Sequence, residues 1–423
     1  MSYALYAAAI IFVLTYVLIS VRRIGRVSVE MPAVALFGAA LMVGFGIVSP
    51  SQALQSINLN VILLLLGMML MVAGLEVCGF FDYVSIRAAA RARSGPHFLV
   101  MLMIATAVLS ALVLNDTIVL LMTPIVIKSC RSLGLKPVPF LVGEAIAANV
   151  GSVATEVGNP QNAFIGISSG IPFMTYSAYM VPITAMCLAL AIPITWLAFR
   201  KDLARPISRP ESAVPLRKPM IQKTGLVFVL VVLFWAVVAF LTTDPQWLPF
   251  IAFIGGAVVL LCLPLFAKAT YDGLTKRVDW SILLFFIGLF ILLKGVEVSG
   301  LLDSIIGGFQ SATGGGAGLW GFSGLSALLS NLISNVPAVL LLSPTVGTTF
   351  AGHTTVAWLT LAASSTLAGN ATILGAAANV IVAQSASSQG VQIRLKDFVR
   401  AGLFVAAATL VAATAVLWLV SLM

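Results

Sequence analysis

Apolar residues run along this chain in stretches of roughly twenty, and polar residues gather between them or at a few isolated points inside them. Stretches long enough to cross a ~30 Å hydrocarbon core as helices fall near 3–21, 31–48, 59–77, 140–168 and 174–199. A second set falls near 224–242, 247–267, 280–298, 356–386 and 399–422. Between the third and fourth of each set lies a longer apolar segment, 97–130 and 317–345, with an Asn-containing turn at its centre. Each arm of such a segment holds about 13 to 17 residues, too few to cross alone, so both are expected to be re-entrant helical hairpins. The pattern predicts an all-α polytopic membrane protein with ten spans and two hairpins.

The two sets are copies of one another. Leu112 to Ile127 sets Asn115, Asp116 and Thr117 in the middle of an apolar run, where hydrocarbon offers no hydrogen bond and protein, water or solute must supply one. The same device recurs 220 residues on: Ser110, Asn115, Thr123 and Pro124 fall on Ser330, Asn335, Ser343 and Pro344. Upstream, Gly67, Gly74, Glu76 and Gly79 fall on Gly288, Gly295, Glu297 and Gly300, 221 apart. Downstream, Thr155, Gly158 and Asn162 fall on Thr372, Gly375 and Asn379, 217 apart. The chain reads as a tandem duplication: a first repeat over 1–199, a linker over 200–223 rich in Pro and Arg, and a second repeat over 224–423.

Composition agrees, with 60% apolar and only 9% charged residues. The first apolar stretch is followed, not preceded, by Arg22, Arg23 and Arg26, and is expected to be a retained signal anchor. Charge then orients the chain. With both termini extracytoplasmic, 22 of the 23 basic residues fall in cytoplasmic segments, and only Lys294 falls elsewhere. Counting either hairpin as one full span would reverse every later loop and lose that agreement. Five spans per repeat make the second repeat inverted relative to the first, the architecture of secondary transporters. The net charge of +9 is thereby accounted for by orientation and anionic lipid, with no nucleic-acid partner. No Walker A sequence is present, so the chain alone is not an ATP-driven pump.

The fourth span of each repeat, 140–168 and 356–386, carries a polar interruption. In the first, Gly158-Asn159-Pro160 supplies a helix break, because Pro160 has no amide proton and Gly158 tolerates positive φ. Broken helices offer carbonyls to cations and N-terminal amides to anions or neutral oxygen ligands. A hairpin turn and a helix break are expected to form one site per repeat, the two facing each other near mid-membrane. Asn115, Thr117, Asn159, Asn162, Asn335, Thr372 and Asn379 are the candidate solute contacts. Acidic residues are confined to one repeat: Asp116, Glu144 and Glu156 face Val336, Leu361 and Ile373 in the alignment. Carboxylates at membrane depth are costly and functional by default, which makes Asp116 and Glu156, with Glu144, the candidate proton carriers. A sodium site formed by Asp116 with carbonyls near Asn149 and Gly158 stays open.

Asn115-Asp-Thr followed by Leu-Leu-Met-Thr-Pro-Ile, the segment Gly158-Asn-Pro-Gln-Asn162, and their second-repeat counterparts resemble the ion transporter superfamily over essentially the whole chain. That group contains arsenite efflux permeases, sodium/proton antiporters and sodium-coupled dicarboxylate or sulfate carriers. Length, the Asn-Asp turn and the Arg-rich linker are most similar to the membrane subunit of the arsenite/antimonite efflux pump. The Gly-Asn-Pro-Gln-Asn segment is similar to the broader anion permease branch. The resemblance implies proton-coupled export of arsenite or antimonite across a bacterial-type inner membrane, with a cytosolic ATPase subunit or a homodimer as conceivable partners. The alternative is a sodium- or proton-coupled carrier of a small anion such as a dicarboxylate or sulfate. The absence of any Arg from both turns and both breaks favours a neutral solute such as As(OH)3.

Plainer readings stand beside these. Asn115 and Asn335 can simply cap hairpin arms, Glu144 can pack against a neighbouring helix, and Lys294 with Glu297 reads as a snorkelling boundary pair. A membrane-embedded hydrolase using Asp116 and Glu156 leaves the uncharged second repeat without a role. Cys78, Cys130, Cys187 and Cys262 are dispersed, so neither a disulfide framework nor a thiolate trap is indicated. His97 and His353 lie at segment ends, and no metal or cofactor is expected. Gly314 to Gly318 lacks the lysine of a phosphate loop and reads as a flexible lead into the second hairpin.

Overall fold

The computed structural model describes residues 2–21, 23–24, 27–28, 30–81, 83–84, 91–204, 206–207, 247–267, 270–304, 307, 318–350 and 352–422. The span expected over 224–242, most of the linker and residues 314–317 of the glycine-rich lead lie outside them. The described chain is helical, apart from a two-residue antiparallel ladder, β1 (Arg23–Ile24) with β2 (Val27–Ser28). Among the described residues six helices are long and apolar enough to cross a membrane. Large apolar side chains such as Tyr6, Leu261 and Phe404 remain exposed on the outside, as lipid-facing positions do in a protein with these helices.

The first set gives α1 (Ser2–Val21), α2 (Met31–Gly44), α3 (Pro50–Ser56) and α4 (Leu59–Val77). The span expected over 31–48 is shorter than its apolar run: α2 stops at Gly44, and the chain turns through Gly46 at φ +70°, a conformation that favours glycine. Polar caps fix the starts that follow. Ser49 and Gln52 close a capping box on α3, and Asn58 accepts from the Val61 amide at the head of α4.

The segment expected as the first hairpin is α5 (Gly95–Leu112) and α6 (Asn115–Ser132), joined by the two extended residues Val113 and Leu114. Its arms return antiparallel, since Thr106 and Met122, eight residues either side of Leu114, meet at 4.0 Å. At 18 residues each the arms are longer than their hydropathy suggested, about 27 Å. By length alone α5 ranks with the spanning helices. The extra turns are polar at the base of the hairpin, where Ser94 caps α5 and α6 runs on through Ser129, Arg131 and Ser132.

The segment expected as the first broken span forms two helices, α7 (Val138–Ser152) and α8 (Pro160–Ser169), followed by the 31-residue α9 (Phe173–Leu203). The second set repeats the order: α10 (Trp247–Ala267), α11 (Tyr271–Thr275), α12 (Trp280–Val298), then the hairpin α13 (Gly318–Ile333) and α14 (Asn335–Thr349). Its broken span is α15 (Thr354–Ala368), two short 3-10 turns over Gly369–Ala371 and Ile373–Gly375, and α16 (Ala377–Ser388). The chain closes with α17 (Leu395–Ser421).

Contacts between the two sets come in reciprocal pairs. Helix α4 packs on α10 and α2 on α12, while α6 packs on α16 and α14 on α8. At the first seam the Gly67 backbone lies so close that a Cβ there would sit 2.2 Å from the Ala252 carbonyl oxygen. Its partner Gly288 meets Ala35 in the same way, with 2.6 Å to the carbonyl carbon. One helix turn or two further along, Gly74 faces Val259 and Gly295 faces Met42. Basic residues also bridge the two sets: Arg277 pairs with Glu76 at 2.9 Å, Arg131 donates to the Gln389 carbonyl at 2.7 Å, and Arg400 lies over the Phe199 ring, while Lys136 pairs locally with Asp202 at 2.9 Å.

Candidate functional site

Each hairpin tip plugs into the break of its own fourth span. The amide of Asn115, first residue of α6, donates to the Gly158 carbonyl at 2.9 Å. In the second set, with the Asn335 amide oriented so that its nitrogen meets acceptors and its oxygen a donor, the nitrogen donates to the Gly375 carbonyl at 2.9 Å and to the Ser365 carbonyl at 3.2 Å, while the oxygen accepts from Gln161 Nε2 at 3.1 Å. Breaking a buried helix frees carbonyls that need donors, and the shared geometry of the two breaks supplies them from one residue type. Asn162 donates to the carbonyls of Ser152 and Thr155 at 3.0 and 3.3 Å. Asn379 donates to those of Gly369 and Thr372 at 2.7 and 2.9 Å. Asn159 caps α8 through the Asn162 amide at 2.9 Å.

The two breaks are bonded to each other directly. Asn149, near the end of α7, accepts from Asn115 Nδ2 at 3.3 Å and donates to Asn370 Oδ1 at 3.0 Å and Asn379 Oδ1 at 2.9 Å. Thr366, which the alignment places opposite Asn149, accepts from Asn159 Nδ2 at 3.2 Å and Gln161 Nε2 at 3.1 Å. All seven of these side chains are buried, and none of the groups bonded in this network is basic or acidic. Four helix N-termini meet here, those of α6, α8, α14 and α16.

Five of the expected contact residues, Asn115, Asn159, Asn162, Asn335 and Asn379, therefore share one network. Thr372 joins it through its carbonyl. Thr117 is half-buried on the first turn of α6, and its side chain is not part of the network. Asp116, also half-buried, meets it through its amide, which donates to Asn115 Oδ1 at 2.9 Å. Asn149, named in the sequence pattern only for the carbonyls near it, joins through its side chain, and Asn370, Gln161 and Thr366 are members that the pattern does not name as contacts. The signal available is their place beside the same glycines, Asn370 next to Gly369 and Gln161 two residues past the Asn159 cap.

The acidic candidates sit in three settings. Glu156 lies in the first break and is 0% exposed; among the described residues no donor reaches either carboxyl oxygen, and its carboxyl packs on Gly166, where a Cβ would lie 2.4 Å away. Glu144 is equally buried on α7 but off the network, with one oxygen accepting from Thr123 Oγ1 at 3.0 Å and the other reached by no donor among the described residues. Asp116 lies at the hairpin tip. Among the described residues no cluster of His, Cys, Asp and Glu could hold a metal ion.

A family model described as a citrate transporter, CitMHS, matches residues 16–368. The chain is 34% identical to the Mycobacterium tuberculosis H37Rv protein "Uncharacterized transporter Rv2685", over 97% of this chain and 98% of that one. It is 26% identical to the "Silicon efflux transporter LSI3" of Oryza sativa subsp. japonica, over 83% and 84% of the two chains. It is also 34% identical, over 40% of this chain and 30% of the other, to a Dictyostelium discoideum protein named as transporter arsB.

Proposed function

Because the chain belongs to the CitMHS citrate transporter family of the ion transporter and anion permease group, and is a multi-pass membrane transporter, we propose that it is a proton-coupled, alternating-access exporter of a small neutral hydroxylated solute of the arsenite or antimonite kind. The observation that carries this reading is the central network, built from amides, hydroxyls and backbone carbonyls with no basic side chain among them. A multiply charged anion buried there would lack a counter-charge, a cost of several kcal/mol or more. A neutral hydroxide such as As(OH)3 needs donors and acceptors in equal measure, and asparagine supplies both. The name of the rice relative carries silicon efflux, and dissolved silicon, Si(OH)4, is a neutral hydroxide of the same kind.

Glu156 is the proton site in this reading. An ionised carboxylate with no donor, buried among packed backbone, is expensive, whereas a carboxyl carrying a proton is tolerated. Release of that proton requires the break to open to water, which ties protonation to the state of the fourth span. The reciprocal contacts of Gly67 with Ala252 and Gly288 with Ala35 support two repeats related by a two-fold axis in the membrane plane. The meeting of Arg277 with Glu76 and of Lys136 with Asp202 supports the placing of those ends together at the cytoplasmic side.

The test is a growth challenge with arsenite and antimonite in cells lacking their own exporters, paired with everted vesicles energised by a pH gradient. Expression of the wild type is expected to raise tolerance. Glu156→Gln is expected to keep expression and thermal midpoint while reducing gradient-driven flux by about tenfold or more, since the proton-transfer contribution of a placed group is of that size or larger. Unchanged tolerance would overturn the solute, and intact coupled flux in Glu156→Gln would overturn the proton site. The second reading, a carrier of a small anion, is favoured by the family description and by four helix N-termini at the network. Citrate- or sulfate-driven flux with no response to arsenite would install it.

A further inference from the structure

A second site lies away from the central network. A cavity of about 420 Å³ is lined by Gln52, Gln55 and Ser56 of α3, Lys294 and Glu297 of α12, and Phe164 of α8. Leu340 and Pro344 of α14 complete its wall, so it borders both the packed seam helix α12 and an arm of the second hairpin. Phe164 is two residues past Asn162, which puts the cavity next to the central network without being part of it.

Lys294 is the one basic residue outside the cytoplasmic segments of the positive-inside reading, and it stands four residues before the end of an apolar helix. A cation kept at such a depth requires oxygen partners. The only one bonded to it among the described residues is Glu297, at 2.9 Å, and the pair is lopsided: the Lys294 side chain is 28% exposed and that of Glu297 is 58% exposed. The acidic member is therefore the solvated one, loosely held and free to leave for water, while the ammonium stays against the cavity with donors to give. Its neighbours also favour donation. Gln52 commits its carbonyl oxygen to the Ser49 amide at 3.0 Å, which leaves its amide nitrogen for a ligand. A neutral solute would be served by amides and hydroxyls without the cost of a lysine. A ligand with anionic oxygens is served by the lysine first.

We infer that this cavity is a binding site for a small anion bearing carboxylate or phosphate-type oxygens, anchored by Lys294, with Glu297 acting as a tethered competitor that the ligand displaces. The site is separate from the central network, and its test does not depend on which solute that network carries.

The experiment is calorimetric titration of the purified full chain in detergent with inorganic phosphate and, separately, with acetate, ionic strength being held constant with chloride. Saturable binding of either probe is expected. Lys294→Gln is expected to weaken it by about tenfold or more, the loss that follows removal of a charged hydrogen-bond donor. Glu297→Gln is expected to tighten it by about two- to fivefold, the worth of a half-exposed ion pair removed from competition. That gain separates a ligand site from a merely structural salt bridge, for which both substitutions would only lower the thermal midpoint. Should Lys294→Gln not fold, Lys294→Arg is expected to retain binding, and Glu297→Gln still decides. No saturable binding of either probe, equal binding by Lys294→Gln, or unchanged or weaker binding by Glu297→Gln would overturn the assignment.

Discussion

Asn149→Ala is the most informative single change, because one amide joins the first hairpin, the first broken span and the second broken span. Its oxygen serves Asn115 and its nitrogen serves both Asn370 and Asn379. Truncation to Ala strands one buried donor and two buried acceptors at once. Asn370 then suffers doubly, since its own side-chain nitrogen already lacks a partner among the described residues. Each stranded group costs about 1–3 kcal/mol, so the expected loss is on the order of 3–9 kcal/mol, a large part of the ~5–15 kcal/mol that holds a typical fold together. Asn149→Asp should be no milder when ionised, since it keeps the acceptor for Asn115 but turns an oxygen toward two oxygens. Equilibrium unfolding in mixed micelles measures the loss. Adding Asn379→Ala to Asn149→Ala should cost less than the sum of the two single changes by about 1–2 kcal/mol, because they remove the same bond. A loss under about 1 kcal/mol for Asn149→Ala, or strict additivity in the pair, would refute the view that this amide ties the two breaks together.

Three further outcomes are expected. Gly67→Ala and Gly288→Ala should each destabilise by about 1–3 kcal/mol or more, because the new methyl meets backbone that cannot rotate away, while Gly44→Ala, with nothing within 4 Å, should be near neutral; thermal midpoints in one detergent compare them. Ser334, at the second hairpin tip, holds φ +76° and ψ 160°, a region that favours glycine, so Ser334→Gly should raise stability by up to about 1–3 kcal/mol as that strain is relieved, read as a higher midpoint. Thr123→Val should remove the one donor that reaches Glu144 among the described residues and destabilise by about 1–3 kcal/mol, with Thr123→Ser restoring most of it.

Much of this architecture is legible in the sequence because its punctuation is chemical. Gly158-Asn-Pro announces the first break by itself, and Asn115 announces a tip because an amide in an apolar run demands a partner. The second break contains no proline, and only the 217-residue alignment onto Gly375 and Asn379 locates it. What cannot be read is the pairing across the chain. Asn149 looks like one polar residue in a helix of small apolar neighbours, and its importance comes from Asn370 and Asn379, more than 200 residues away. Hydropathy also underestimates arm length, because Ser129, Arg131 and Ser132 continue α6 past the point where the apolar run ends. The end of α2 is hidden for the converse reason: Phe45 and Ile47 keep the run apolar while Gly46 has already turned the chain.

The reciprocal contacts also restrict what can move. At the seams of α4 with α10 and of α2 with α12, backbone meets backbone at Gly67 and Gly288, and the Val259 and Met42 side chains press on Gly74 and Gly295, close packing that resists sliding. In the transport cycle proposed above, those four helices are expected to form the fixed part. The fourth spans meet differently, through the side-chain amides of Asn149, Asn370 and Asn379, bonds of modest net strength that water or solute can replace. A tightly interlocked pair of seams beside an exchangeable polar centre places any relative motion at the boundary between them. The cavity walled by α8, α12 and α14 touches both a seam helix, α12, and a helix of the first break, α8.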